Sequence, residues 1–308
     1  MSYCYGPVPS RRLGFSLGID LFPNKICSFD CVYCQLGVSG KKTLNRVSCV
    51  DLRALRKELE EITSKNFKID YITISGCGEP TLHKNLDKII NLIKKATQNK
   101  YPVCVITNSS LLYRKDVRNE LKNVNLIIPS IDAASETIFK KINRPCKHIT
   151  VNKIIKGLIC LRKEYKGKIW LEVMLIKNLN DNANEIRNLK RAISLIEPDR
   201  IQLNLPTRAK HQKIRLPKPS KLKALKKIFG NNTDIVNSFY SKKQTKTKAH
   251  HEKDIWNFLK RRPATIGDLK NSFNLNYSQI NRHLKILLKT NKIAKLEESG
   301  YFYAANAK

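Results

Sequence analysis

The 308 residues, 41% of them hydrophobic, are enough for one large core and a smaller second one, and contain no apolar run of the roughly 18 residues that a membrane-spanning helix needs. Lys and Arg total 59 against 25 Asp and Glu, a formal net charge of +34, which favours polyanionic partners, nucleic acid first; a Lys-rich bias that merely solvates the surface is the competing reading. Nine cysteines in a chain of this length are too few and too scattered for a secreted disulfide scaffold, and an odd count leaves at least one unpaired, as a reducing compartment allows. Ser10-Arg11-Arg12 has the look of a twin-arginine export signal, but Asp20, Pro23 and Lys25 interrupt any apolar stretch behind it, so a cytoplasmic location is expected.

In chain order, residues 18–22 read as a strand, followed by a cysteine-rich loop at 27–34 and a helix over 52–63. Strands are then predicted at 71–74, 103–106, 126–131, 169–176 and 200–205, with helices at 86–96, 151–165 and 183–196 between them. Repeated βα units of this kind predict an α/β fold with a mostly parallel sheet, here six strands in a partial (β/α)6 TIM-like barrel spanning 1–207. In such barrels functional residues collect at the C-terminal ends of strands.

Residues 208–248 carry 13 Lys or Arg and one acid, Asp234, with Pro217 and Pro219 breaking the periodicity. This stretch reads as a basic connector with a helix at 220–229, either a solvated linker or a phosphate-binding arm. Residues 249–308 predict three helices, 250–260, 265–273 and one capped by Ser278 that runs to Lys289, then a hairpin of 292–296 and 301–304 turning at Gly300. Three helices and a hairpin resemble a winged helix-turn-helix domain. Gln279, Asn281, Arg282, Lys285 and Lys289, with His283 beside them, would then form a groove-reading face, although the same residues suit an ordinary solvent face.

Cys27, Cys31 and Cys34 place three thiols within eight residues, a loop able to wrap an inorganic cube and leave one iron open. A zinc site completed by Cys4 or Cys49 is the alternative. Directly after the strand at 71–74 comes Ser75-Gly76-Cys77-Gly78-Glu79-Pro80-Thr81-Leu82, where glycines permit close backbone approach and Glu79 offers an acceptor for an ammonium group. Polar groups recur at later strand ends: Thr107 and Asn108, Ser130 and Asp132, and Asn204. Ser, Asn and Asp are also common turn and cap residues.

The spacing C-x-x-x-C-x-aromatic-C, with Tyr33 before the third cysteine, resembles the signature loop of the radical S-adenosylmethionine (SAM) superfamily, and Gly76-Cys77-Gly78-Glu79 resembles its Gly-Gly-Glu motif with a cysteine inserted. The resemblance covers about residues 1–207. It implies a 4Fe-4S cluster on Cys27, Cys31 and Cys34, and reductive cleavage of SAM to a 5′-deoxyadenosyl radical that abstracts hydrogen from a substrate. It further implies SAM contacts from Tyr33, Gly76, Gly78, Glu79, Thr107, Asn108, Ser130, Asp132 and Asn204, and a one-electron donor such as flavodoxin or ferredoxin. The opening Gly6-Pro7-Val8-Pro9-Ser10-Arg11-Arg12-Leu13-Gly14 and Cys34-Gln35-Leu36-Gly37 resemble a subgroup of Fe-S oxidoreductases allied to wyosine-base synthases. With the basic connector and tail, that places RNA or an RNA-associated macromolecule first among substrates. An iron-sulfur sensor that binds DNA without turnover, and a small-molecule radical enzyme with an incidental tail, are the alternatives.

Overall fold

A computed structural model describes residues 2–65, 67–207, 214–236, 252–273, 275–296 and 300–305. Eight strands form one sheet in chain order: β1 (Cys4–Ser10), β2 (Gly14–Ile19), β3 (Tyr71–Ile74), β4 (Val103–Thr107), β5 (Leu126–Pro129), β6 (Lys168–Met174), β7 (Arg200–Asn204) and β8 (Thr233–Ile235). β1 and β2 make an antiparallel hairpin, and every later neighbour pair is parallel. Each parallel step needs a crossover, supplied by α1 (Leu52–Thr63), α2 (Leu86–Ala96), α3 (Lys115–Glu120), α4 (Glu136–Asn143), α5 (Val151–Glu164), α6 (Ala183–Ile196) and α7 (Pro219–Phe229).

The helices begin where side chains satisfy their exposed amides: Asp51 accepts from Arg53 and Ala54, Thr150 from Lys153, and Asn182 from Glu185. Their apolar stripes meet the sheet in a core that includes Leu17, Ile72, Val105, Ile127, Leu171 and Leu203, each essentially inaccessible to solvent. Truncating any of these to Ala would cost about 2–5 kcal/mol, a large fraction of a domain's stability. Packing therefore fixes where the strand ends point.

Two strands escape the sequence pattern. β1 carries Pro7 and Pro9, which lack the amide a central strand needs, and it lies at the sheet's edge. β8 has only three residues and sits inside the stretch read as a connector. The sheet thus continues past residue 207: α7 and β8 belong to it, Leu222, Leu225 and Phe229 join the main core, and the expected boundary at 207 is corrected accordingly. Residues 208–213 and 237–251 of the expected connector and tail lie outside the described residues. β2 also begins earlier than expected, at Gly14, and ends at Ile19, with Leu21 and Phe22 buried beyond it.

C-terminal to the sheet lie α8 (Glu252–Arg261), α9 (Ile266–Phe273), α10 (Tyr277–Lys289) and an antiparallel pair, β9 (Ile293–Leu296) and β10 (Tyr301–Ala304). α10 is capped by Asn276 in a reciprocal box with Gln279, so Ser278 is not its cap. This unit has its own core, centred on Ile255, Phe258, Leu269, Ile280 and Leu284, and takes Val8 of β1 into it. Arg261, only 5% exposed, anchors it to the sheet: Nε donates to Asp20 Oδ2 at 2.9 Å, and Nη2 donates to the Ser2 carbonyl. No helix among the described residues is long and apolar enough to cross a membrane.

Candidate active site

A cavity of about 350 Å³ opens at the C-terminal ends of the parallel strands. Cys27, Cys31 and Cys34 line it together, in the loop that follows β2. Lys25 ties the two ends of this loop, donating from Nζ to Asp30 at 2.6 Å and to the Gly37 carbonyl at 2.7 Å, while Asp30 also accepts from the Ser39 and Gly40 amides. The loop is docked onto the next strand's end by a bridge between Ile26 and Gly78.

The thiols suit a cluster. Burial pushes Cys27 up to about 12, with Glu79 adding to the effect, and burial likewise raises Cys31 and Cys34, so coordination to a metal is what would hold all three as thiolates. Donors already face two of the sulfurs: Asn108 Nδ2 lies 3.4 Å from Cys27 Sγ and Asn143 Nδ2 lies 3.5 Å from Cys31 Sγ. Such hydrogen bonds tune a cluster's potential. Neither Cys4 nor Cys49, the two candidates for a fourth zinc ligand, lines the cavity. Among the described residues, no three His, Cys, Asp or Glu side chains converge on a single ion.

Tyr33, Gly76, Gly78, Glu79, Thr107, Asn108, Ser130 and Asn204 all line the same cavity, so sequence-distant strand ends do come together. Asp132 does not. It lies behind Tyr33, accepting from the Tyr33 hydroxyl, from Asn143 Nδ2 at 2.6 Å and from the Met174 amide at 2.9 Å. Burial raises its carboxyl to about 6 against these three donors. Its geometry is that of a brace for Tyr33 and β6.

Glu79 is also held from inside the protein. One carboxylate oxygen accepts from the Thr81 amide and hydroxyl at 3.1 and 2.7 Å and from the Thr107 hydroxyl at 2.6 Å; the other accepts from the Asn108 amide at 2.6 Å. It joins the ends of β3 and β4, and burial raises its pKa. The glycines have comparable internal reasons. A Cβ on Gly78 would stand 2.0 Å from the Ile26 carbonyl, and one on Gly76 would stand 2.4 Å from the Asp20 carboxyl.

Sequence reading missed four residues at this site. Glu172 on β6 pairs with Arg12 and accepts from Asn204 Nδ2 at 2.8 Å and Ser130 Oγ at 3.3 Å. Asp20 accepts from the Cys77 amide at 2.9 Å and from Arg261, linking the motif loop to α8. Arg12 and Arg261 themselves line the cavity. The Arg11-Arg12 pair, noted only as part of a motif, was the one signal available.

Comparison with known proteins identifies the family. The model of the Radical SAM superfamily matches residues 21–189. A UPF0026 protein of Methanocaldococcus jannaschii is 35% identical over 100% of this chain and 97% of its own length. A protein named GTPase Obg from Brachyspira hyodysenteriae is 40% identical over 98% of this chain, which spans 45% of that protein's length. The S-adenosyl-L-methionine-dependent tRNA 4-demethylwyosine synthase of Saccharomyces cerevisiae is 26% identical over 53% of this chain and 22% of its own. Among solved structures, a radical SAM methyltransferase from Sphaerobacter thermophilus superposes with a TM-score of 0.57 at 13% identity, covering 71% of this chain and 65% of that one, a likeness of fold.

Proposed function

Because the chain belongs to the radical SAM superfamily, an enzyme class whose cofactors are a 4Fe-4S cluster and SAM, we propose that Cys27, Cys31 and Cys34 hold the cluster and that the substrate is RNA. The observation that carries the ligand assignment is the convergence of these three thiols with polar residues from four strand ends on one cavity. When bound, the cluster supplies the electron for reductive cleavage of SAM, giving the 5′-deoxyadenosyl radical that abstracts hydrogen.

The protein's own contribution is placement. Asn108 and Asn143 donate toward the Cys27 and Cys31 sulfurs, and the loop clamp of Lys25 and Asp30 holds the thiols in register. Ser130 and Asn204 offer polar groups to SAM, Tyr33, whose hydroxyl is turned to Asp132, lines the site with its ring, and Gly76 and Gly78 let backbone reach the methionine end. Glu79 acts through Thr107 and Asn108, fixing the strand ends against which SAM lies.

RNA is supported by the formal charge of +34 and by the sequence likeness to a tRNA-modifying synthase. We read the helices α8–α10 with β9 and β10 as a winged helix-turn-helix that delivers that substrate, and flavodoxin or ferredoxin as the electron donor. Asn281, Arg282, Lys285 and Lys289 are exposed on α10, Gln279 is engaged in its cap, and His283 Nδ1 lies 2.9 Å from Glu252 on α8, a tie between helices.

Anaerobic reconstitution with iron and sulfide, followed by dithionite and SAM, tests the reading. Wild type is expected to release 5′-deoxyadenosine, and Cys31→Ala to lose both cluster and product. A fully loaded, reducible wild-type cluster that yields no 5′-deoxyadenosine overturns the assignment.

A further inference from the structure

Arg261 stands where three parts of the protein meet. It ends α8, is buried, and lines the cavity. Nε donates to Asp20 Oδ2 at 2.9 Å, Nη1 to the Asn257 carbonyl at 3.0 Å and Nη2 to the Ser2 carbonyl, so all three nitrogens hold the planar fork in one orientation. Its own carbonyl lies 3.3 Å from Nε2 of Gln35, the residue after Cys34.

Asp20 passes that hold on to the glycine motif. Its buried carboxylate meets Arg261 through Oδ2 and accepts from the Cys77 amide through Oδ1 at 2.9 Å. The Cys77 carbonyl in turn accepts from the amide of Ile26 at 3.0 Å, and Ile26 immediately precedes Cys27. One unbroken line of hydrogen bonds therefore runs from α8 through Asp20 and the Cys77 peptide to the root of the cysteine loop. The same carboxyl leaves no room for a Cβ on Gly76. Tyr5, whose ring centre lies 5.4 Å from Arg261, donates to the Ser75 carbonyl at 3.2 Å and ties the start of the motif to the same corner. A loop with two glycines has many backbone conformations open to it, and a contact from outside must select one. Asp20 makes that contact, and a carboxylate so far from water needs a bonded cation to stay in place.

We propose that Arg261 is a positioning residue for SAM: through Asp20 it sets the Gly76-Cys77-Gly78 backbone in the conformation that receives the methionine end, so the SAM site is complete only with the C-terminal unit in place. The inference rests on the reading of Gly76 and Gly78 as SAM contacts. It gives the C-terminal unit a part in the reaction that is independent of any substrate it delivers.

The test compares full chains reconstituted to equal iron content, with SAM affinity measured by equilibrium dialysis and 5′-deoxyadenosine formation followed across a SAM series. Arg261→Met is expected to weaken SAM binding about 10-fold and to raise KM for SAM in step, with kcat within about 3-fold of wild type. Leu189→Ala truncates a fully buried side chain of α6 and lowers stability away from the site; it is expected to change SAM affinity less than about 2-fold. Arg261→Lys, which keeps the charge but not the fork, is expected to fall between wild type and Arg261→Met, and it carries the test if the methionine variant does not fold. A second readout needs no cluster: in cluster-free Arg261→Met, iodoacetamide should alkylate Cys77 at least about 5-fold faster than in wild type, while Cys104, buried on β4, keeps its wild-type rate. Unchanged SAM affinity in the Arg261 variants, an equal loss in Leu189→Ala, a fall in kcat at constant KM, or equal acceleration at both cysteines overturns the proposal. Wild type that binds no SAM with its cluster fully loaded refutes the SAM contacts themselves and this inference with them, a failure distinct from that of Arg261 alone.

Discussion

Glu79 accepts four hydrogen bonds from the ends of two strands, and this internal engagement shows how residues at the site serve architecture first. Gly78 does likewise: with the Ile26 carbonyl 2.0 Å from where a Cβ would stand, Gly78→Ala must push the cysteine loop away. We expect that variant to keep all three thiols and still take up less than half the wild-type iron on reconstitution, measured per chain; full loading would show that the loop tolerates displacement. Asp132 makes a pH prediction. Its carboxyl, raised by burial to about 6, keeps in the folded state a proton that the unfolded chain releases near pH 4. Its contribution to stability is therefore complete below about pH 4 and is lost as pH rises through about 6, up to about 3 kcal/mol in all. Urea unfolding of cluster-free protein between pH 4 and 6.5 should show this decline, and Asp132→Asn should flatten it; equal slopes in the two proteins would refute the assignment. The cysteines and the glycine motif were legible in the sequence because each is local. Asp20, Glu172 and Arg261 were not, since Arg12 meets Glu172 and Asp20 meets Arg261 only through the fold.

Among elements, the parallel strands with continuous apolar runs could be read from periodicity, as could α1, α2, α5 and α6. β1 was hidden by Pro7 and Pro9, and β8 by its three-residue length in a basic stretch. α8 is where local pattern was least informative, because its final Arg261 looks like an ordinary basic helix end yet is buried against Asp20, itself 1% exposed. Arg261→Met should leave the Asp20 carboxylate with the Phe22 and Cys77 amides and the Cys77 thiol but no hydrogen-bonded cation, and destabilise the protein by about 3 kcal/mol. Adding Asp20→Asn removes the stranded charge and should recover part of that loss. Denaturant titrations of the two single variants and the double variant decide it: strictly additive costs would mean that the pair does not couple.

For the whole molecule, the sheet and the C-terminal unit share residues rather than merely touching. Val8 and Tyr5 of β1 pack against the second core, and Arg261 lies 5.4 Å from the centre of the Tyr5 ring. A chain ending at Val236 should therefore be less stable and retain less iron than the full chain, read as thermal midpoint and iron per chain. A midpoint within about 2 °C of wild type would show that the unit is dispensable to the barrel. Sequence periodicity gave no sign that the two parts share a strand, because such sharing leaves no periodic trace.

That sharing also orders events on the ribosome. Val8 leaves the ribosome before the helices that cover its outer face, which begin about 250 residues later, roughly 12 to 50 seconds further into synthesis. During that interval the nascent hairpin presents an uncovered edge and apolar face. A chaperone that engages the emerging chain would find a lasting target there, one that disappears only when α8 and its neighbours fold over Val8.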